Sequence, residues 1–353
     1  MSTPCPHEDV CGSCSWAHIP YEKQLKQKFS DINGSFRLKE LPPWCKTILP
    51  SPVTEHYRNR MDFVIDFEGR VGMREKGKWW RVVDGNTCFL ADEQIDTLFV
   101  QVRDWVKQSG LSYYDRKTSE RVPPISTEPG EVISDKIVST PFHPTTFIWS
   151  QNSTITDVSF GDKLETISGP GYIEEEILGS RYRISPNAFF QTNPHGAALL
   201  LQTVEGFCGD LSGRTLLDLY CGSGFFSVAL ANRATRTIGV EMVQEAIDDA
   251  RVNAQLNNVN IEFHDAKTEK FDWTQFGADV VILDPPRSGM HDKALADILK
   301  NPPEEIVYVS CNFKNFAREM VQLQNIYRVD GMRAIDLFPH TPHVELVTKL
   351  SRI

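Results

Sequence analysis

The spacing of apolar positions changes along this chain, and each change predicts a different element. The stretch "PYEKQLKQKFSDI" places apolar residues at helical intervals, and so does "DEQIDTLFVQVRDWVKQSG", which is expected to stop at Gly110. Between them, after the proline-punctuated connector "ELPPWCKTILPSP", the pattern from Tyr57 to about Val83 alternates, with Glu68-Gly69 as a turn. Alternation of that kind predicts antiparallel strands. Residues 120–180 are weakly patterned and are expected to complete a sheet-rich domain.

Beyond "RYRISPNAFFQTNPHGAALLLQTVEGF" the chain turns to short apolar runs separated by helical segments. "RTLLDLYCGSG", "TRTIGVE", "NIEFHDA", "ADVVILDPP" and "EEIVYVSC" read as five strands at the spacing of βαβ units in a parallel sheet. Two later runs, "RVDGMRAIDLF" and "VELVTKL", are expected to pair antiparallel at one edge. The fold class is therefore α/β, with a Rossmann-like domain over residues 181–353. It follows a β-rich middle domain over 51–180 and a cysteine-rich segment over 1–50.

Composition narrows the function. With 41% hydrophobic and 24% charged residues among 353, this is an ordinary globular chain. It has no apolar run long enough to span a bilayer and no secretory signal pattern, so a cytoplasmic protein without a membrane partner is expected. A net charge of −10 argues against broad coating of nucleic acid. The charge is uneven, however: from His56 to Arg81 seven basic residues face four acidic ones, with Trp79 and Trp80 interleaved. Phosphate contact with base stacking would use this mixture, and an ordinary solvated hairpin face would show it equally well.

Candidate chemistry gathers at the ends of the five runs. In "LLDLYCGSGFFSVALA", Gly222 and Gly224 allow a tight turn against a ligand. Glu241, seventeen residues past Gly224, ends the next strand, where a carboxylate can take both hydroxyls of a ribose. Asp218 ends the first run, Asp265 the third and Asp284 the fourth. A nicotinamide cofactor would call for the fuller G-x-G-x-x-G, which fails at its third glycine position. S-adenosylmethionine, with ribose and adenine but no phosphate, fits better. A single such acid could be a plain helix cap, but a succession on consecutive strands points to a ligand.

Cys311 ends the fifth run, in "IVYVSCNFKNFAREM", just where open α/β sheets carry their chemistry. Most free cysteines are packing. A nucleophile opposite a methyl donor has a use when the acceptor is not nucleophilic by itself, and uracil C5 is such an atom.

The stretches "YRNRMDF", "FFQTNP", "DLYCGSG", "DPPRSGM", "SCNFKNFA" and "FPHTPHVE" run nearly end to end. In that order they resemble the RNA uracil-C5 methyltransferases that carry an N-terminal iron–sulfur cluster. The resemblance implies Cys311 as the nucleophile and Glu345 as the base that removes the C5 proton. It assigns Gln191, Tyr220, Glu241 and Asp284 to the methyl donor, with Asp218, Gly222 and Asp265 as further donor-pocket residues. One departure is Phe225, where several relatives carry Asn. The first cysteine lies almost at the start of the given chain, leaving no room for a TRAM-type barrel. Compact members of that layout act on 23S rRNA. The expectation is thus a monomeric 23S rRNA (uracil-C5)-methyltransferase, with the T-loop of tRNA as the alternative substrate. Two other readings are an RNA cytosine-C5 methyltransferase and a non-catalytic RNA-binding protein. The first usually carries a second cysteine where Arg287 stands, and the second has no need of Cys311, Asp284 and Glu345 together.

The front of the chain, "CPHEDVCGSC", spaces its cysteines as C-x5-C-x2-C, and Cys88 is a fourth thiol. Spacing alone suits zinc and iron–sulfur equally. The resemblance implies a [4Fe-4S] cluster on Cys5, Cys11, Cys14 and Cys88, with Cys45 as rival for the fourth place. Cys208 and Cys221 read as packing. His340 and His343 flank Glu345 without a third metal ligand, and Phe189 and Phe190 read equally as base-stacking or as core residues.

Overall fold

A computed structural model describes residues 5–109, 113–115, 120–122, 143–151, 161 and 163–353. The chain divides into two compact units, one formed by 1–20, 53–172 and 340–342, the other by 21–52, 173–339 and 343–353.

In the first unit, β2 (Val64–Ile65), β3 (Val71–Glu75) and β4 (Lys78–Asp84) form an antiparallel sheet. The Glu68-Gly69 turn is closed by Asp66, whose carboxylate accepts from the N–H groups of Glu68 and Arg70 at 3.0 and 3.1 Å. The alternating stretch begins its sheet at Val64 rather than Tyr57, because Arg58 pairs elsewhere. Its N–H bonds to the Leu90 carbonyl and its carbonyl accepts from Asp92, both at 2.8 Å. Helix α2 (Glu93–Gln108) starts at Asp92, whose side chain accepts from the Gln94 N–H, and it buries Phe99 and Val106. Its expected stop, Gly110, lies outside the described residues. β5 (Tyr113–Asp115) pairs antiparallel with β6 (Glu120–Val122), and β7 (Phe147–Gln151) with β8 (Lys163–Ser168).

The second unit is a mixed sheet with helices on both faces. Its strands in chain order are β1 (Ile48–Leu49), β11 (Thr215–Asp218), β12 (Arg236–Glu241), β13 (Glu262–Asp265), β14 (Val280–Leu283), β15 (Glu305–Ser310), β16 (Tyr327–Ile335) and β17 (Glu345–Arg352). They lie in the order β1-β16-β17-β15-β14-β11-β12-β13. The five expected strands are mutually parallel, and the order reverses between β11 and β14, where such sheets bind ligands. β17 is antiparallel to both β15 and β16, so the late pair does run antiparallel as expected. β1 was not foreseen: it closes the edge by pairing parallel to β16. A separate antiparallel hairpin joins β9 (Ile173–Ile177) and β10 (Ser180–Ile184).

β11, β12, β14 and β15 are buried on both faces, which is why they read as continuous apolar runs, whereas β13 lies at the sheet edge with Glu262 and Asp265 exposed. Leu217, Val281, Ile306 and Tyr308 point into one core with α1 (Tyr21–Arg37), α6 (Asp292–Lys300) and α7 (Phe313–Leu323). Leu216, Val280, Ile282, Val307 and Val309 point into the other, with α3 (Pro194–Cys208) and α4 (Phe225–Leu230). Helix α5 (Gln244–Leu256) follows β12. The boundary expected at residue 50 therefore falls at Pro20: α1 buries Ile32 and Phe36 in this unit's core and does not belong with the cysteine-rich segment.

Lys28 on α1 is fully buried and donates to Asp336 at 2.6 Å and to the Phe338 carbonyl at 3.1 Å. Burial pulls its ammonium below the usual lysine range, and Asp336 opposes that shift. Removing one partner leaves a buried charge without its mate, so Lys28→Met should cost about 3–5 kcal/mol in urea unfolding. Adding Asp336→Asn should recover part of the loss, because the stranded charge is gone.

Candidate active site

The site is assembled by register. The β15–β17 ladder ends with Ser310 opposite Leu346, so one step further along the same register Cys311 faces Glu345. Asp284 follows β14, whose Leu283 pairs with Tyr308 on β15. Pro285 and Pro286 then end that strand, and the loop turns back through a bond from the Gly289 N–H to the Pro286 carbonyl, 2.8 Å long.

That loop is held from three sides. The side-chain amides of Asn312 and Asn315 both donate to the Arg287 carbonyl, at 3.0 and 2.8 Å. Asn312 also caps α7, accepting from the N–H groups of Lys314 and Asn315. Buried Glu319 on α7 accepts from the Met290 N–H at 3.0 Å and from the Tyr308 hydroxyl at 2.5 Å. Gly289 has φ of 82°, and a Cβ there would collide with the Glu319 carboxylate, so glycine is required. The Arg287 guanidinium lies 2.7 Å from Nδ1 of His343.

Electrostatically this is an acid-rich, buried site. Burial raises Asp284 to about 7. Burial, then the nearby Asp284, raises Glu345 to about 8, and Arg287 opposes. The Cys311 thiol is pushed up to about 12 by burial, Glu345 and Asp284, again against Arg287. Asp284 acts on both Glu345 and Cys311, and Arg287 is the cation that favours the ionised forms of those two. The sequence reading weighed Arg287 only as a non-cysteine. The brace that Asn312 and Asn315 form to its carbonyl carries no signal along the sequence.

Beside it lies a glycine turn after β11. Gly224 starts α4 at φ of 83°, where a Cβ would come 2.9 Å from Val228. Glu241 binds this turn: its carboxylate accepts from Gly222 at 3.1 Å, and from Met242 and Val243 at 2.7 and 2.8 Å. Asp265 is its register partner on β13 and is exposed. Asp218 is fully buried, accepts from the Ser227 N–H at 3.2 Å, and is raised to about 8, by burial first and then by Asp284. Tyr220 is raised to about 12 by burial, its hydroxyl bonded to Thr268. Gln191 is buried two residues before Asn193, which caps α3 ahead of Pro194. Phe190 packs in the core against Tyr182 and Phe225, whereas Phe189 is 65% exposed. Phe225 thus belongs to the core, which accounts for an apolar residue there.

The four front thiols are grouped in the first unit. Cys5, Cys11, Cys14 and Cys88 line one cavity together with Phe63, Phe89 and Phe99. Burial raises Cys5, Cys14 and Cys88, and the thiols raise one another. Among the described residues, no group of three or more His, Cys, Asp or Glu side chains is arranged to hold a single metal ion. Cys45 does not line this cavity; it is buried in the core of the second unit, its thiol 3.5 Å from the Thr47 carbonyl. Cys208 and Cys221 are buried packing residues there as well. His340 packs against Phe89 in the first unit, with ring centroids 4.9 Å apart. In the basic stretch, Arg60, Arg70, Lys78 and Arg81 are engaged by Asp62, Asp66, Glu68 and Glu75, and Trp80 is 46% exposed.

Residues 171–353 match the family described as tRNA (Uracil-5-)-methyltransferase. The chain is 37% identical to a tRNA (uracil(54)-C(5))-methyltransferase of Pyrococcus furiosus, across 97% of this chain and 84% of that one. The chain belongs to the RNA uracil-C5 methyltransferase family. An uncharacterised RNA methyltransferase of Caldanaerobacter subterraneus subsp. tengcongensis is 34% identical over 100% of this chain and 85% of its own length. Among solved structures, the Pyrococcus abyssi tRNA (uracil-54, C5)-methyltransferase in complex with S-adenosyl-L-homocysteine superposes with a TM-score of 0.78 at 32% identity. It covers 96% of this chain and 85% of that one. Among the described residues no helix is long and apolar enough to cross a membrane.

The acids of this family site should be felt in stability. Asp284 and Glu345 have folded-state values, about 7 and about 8, that lie above those of an unfolded chain. Their contribution is therefore complete below pH of about 4 and is lost as pH rises through the folded values. Asp284→Asn and Glu345→Gln should accordingly raise Tm at mildly alkaline pH and change it little near pH 4, as read by thermal melts across that range.

Proposed function

We propose that this chain methylates C5 of a uridine in RNA through a covalent adduct of Cys311, with S-adenosylmethionine as donor. The observation that carries the reading is the register that faces Cys311 with Glu345 beside Asp284 at the ligand-binding ends of the sheet. Cys311 stands just ahead of α7, whose N-terminal dipole favours a thiolate, as does Arg287. The thiolate sulfur forms a bond to C6 of the uracil, and the C5–C6 π pair moves into an O4 enolate. C5 of that enolate then takes the methyl group, releasing S-adenosylhomocysteine. Glu345 accepts the C5 proton, the enolate re-forms, and the C6–S bond breaks to return the thiolate and restore the double bond. A base with a raised value suits this step, since its proton affinity lies near the working pH.

S-adenosylmethionine supplies an electrophilic methyl group on a sulfonium whose positive charge suits the acid-rich pocket. Gln191, Tyr220, Glu241 and Asp284 are its contacts, with Asp218, Gly222 and Asp265 around them. Glu241, which ends β12, is the residue assigned to the ribose hydroxyls. Phe189 is the exposed ring for stacking an extruded base. Arg287, bonded to His343, fills the place where cytosine-C5 enzymes use a second cysteine, which supports uracil as the base.

The substrate we favour is the T-loop uridine of tRNA. The relatives named above for uridine 54 of tRNA support it over the 23S rRNA suggested by the compact layout. A mixture of both RNAs carrying 5-fluorouridine should trap wild-type protein covalently on tRNA, because fluorine cannot leave as a proton. Cys311→Ala should form no adduct, and Glu345→Gln should accumulate a methylated adduct on ordinary RNA. Trapping on rRNA alone would reverse the substrate assignment; adducts in Cys311→Ala would remove the nucleophile.

We also propose that Cys5, Cys11, Cys14 and Cys88 hold a [4Fe-4S] cluster. The residues fit: four thiols line one largely apolar cavity, and their mutual repulsion on ionising favours bound positive charge between them. Its place is structural, tying the N-terminal segment to the sheet of β3 and β4. Anaerobically prepared protein should be brown and carry about four irons per chain. Colourless protein with one zinc would replace the cluster by an ion and leave the catalytic residues as they are.

A further inference from the structure

One edge of α5 carries polar side chains at every fourth residue: Glu245, Asp249, Asn253 and, just past its end, Asn257. Each takes hold of the main chain at every second residue of the segment 181–187. Asn257 accepts from the Arg181 N–H at 2.9 Å and donates to its carbonyl at 2.6 Å. Asn253 does the same with Arg183, at 2.6 and 3.1 Å. Asp249 accepts from the N–H and hydroxyl of Ser185, both at 2.7 Å, and Glu245 from the Asn187 N–H at 3.4 Å. The spacings match, since four helical residues rise about 6 Å and two strand residues about 6.7 Å. The opposite edge of β10 pairs with β9, so the helix side chains occupy the edge where a third strand would bond.

One rung does more than the others. The Asn253 amide also donates to the Ser223 carbonyl in the glycine turn, at 2.9 Å, and Asn253 is fully buried. Two further bonds run between the same parts: Ser223 Oγ to the Phe189 carbonyl at 3.4 Å, and the Tyr182 hydroxyl to the Phe225 carbonyl at 2.9 Å. The segment held by the ladder leads directly into Phe189 and Gln191, and the turn is the wall of the donor pocket.

We infer that Asn253 is a positioning residue that couples the donor turn to the strand carrying the base-side residues, so that filling the donor pocket orders the approach to the uracil. This rests on the assignment of the turn to S-adenosylmethionine. Asn257, half-buried, is the internal comparison: it makes the same two bonds to the same strand and a third to the Asn253 carbonyl at 2.7 Å, and none to the turn.

The test measures S-adenosylhomocysteine binding by calorimetry in Asn253→Asp and Asn257→Asp. Both changes keep shape and lose the donated bonds. Losing a buried hydrogen bond to the turn should weaken binding about tenfold in Asn253→Asp, whereas Asn257→Asp should stay within about twofold of wild type. In turnover, Asn253→Asp should raise KM for S-adenosylmethionine and slow adduct formation on 5-fluorouridine RNA, and Asn257→Asp should do neither. A merely structural ladder would give the two variants the same profile, and that result would overturn the inference. Wild-type protein gives a reading that does not depend on either variant folding. S-adenosylhomocysteine should protect amides of 181–187 from hydrogen exchange together with those of the turn, and protection confined to the turn would overturn the coupling. Absence of S-adenosylhomocysteine binding by the wild type would overturn both this inference and the donor assignment. Binding and coupling without uridine methylation would overturn the RNA reading alone.

Discussion

β17 enters the sheet between β15 and β16 and runs opposite to β15, and its pairing decides which face and which end each of its side chains occupies. A slip of one residue would turn Glu345 to the other face of the sheet and take its carboxylate away from Cys311. The register is secured by burial on both sides, since Leu346 and Val347 sit in opposite cores. It is secured again by β16, which pairs Ile335 with Glu345 itself. The facing of Cys311 and Glu345 thus rests on a pairing whose stability comes from apolar residues packed in the two cores.

The same burial creates the electrostatic character of the site. Asp218, Asp284, Glu345 and Cys311 would be an ordinary set of groups in water. Withdrawn from it, they compete for negative charge, and Arg287 is the cation acting on Glu345 and Cys311. A site of this kind resists thiolate formation at Cys311 and favours it only as positive charge is brought near. Asn312, Asn315 and Glu319 brace the loop that follows Asp284 and carries Arg287.

Much of this was legible along the chain. The five parallel strands announced themselves as runs ended by Asp218, Glu241, Asp265, Asp284 and Cys311, all but the edge strand β13 continuously apolar, because strands covered on both faces have no polar side to hide. Glu345 was reached through resemblance, since nothing local marks the first residue of an antiparallel strand as the partner of a cysteine 34 positions earlier. β1 was missed because two residues carry no periodicity. The placement of α1 was missed for a different reason. An amphipathic helix shows that it has an apolar face, but not which core receives it, and the buried Lys28 looked like a surface residue. The α5 ladder was hidden because Asp and Asn on a helix ordinarily read as solvated positions, and only the backbone opposite them shows otherwise.

The pairing of Lys28 with Asp336 has a temporal side. The two residues are 308 positions apart, and the chain leaves the second unit at Pro52 and returns to it at Ile173. At a synthesis rate of roughly 5–20 residues per second, α1 emerges about 15–60 s before its partner exists. During that interval its apolar face and a charge destined for the interior stand uncovered on the nascent chain. Completion of the Lys28 pair is thereby deferred to the end of translation, and a truncated product lacking the last strands leaves Lys28 without Asp336.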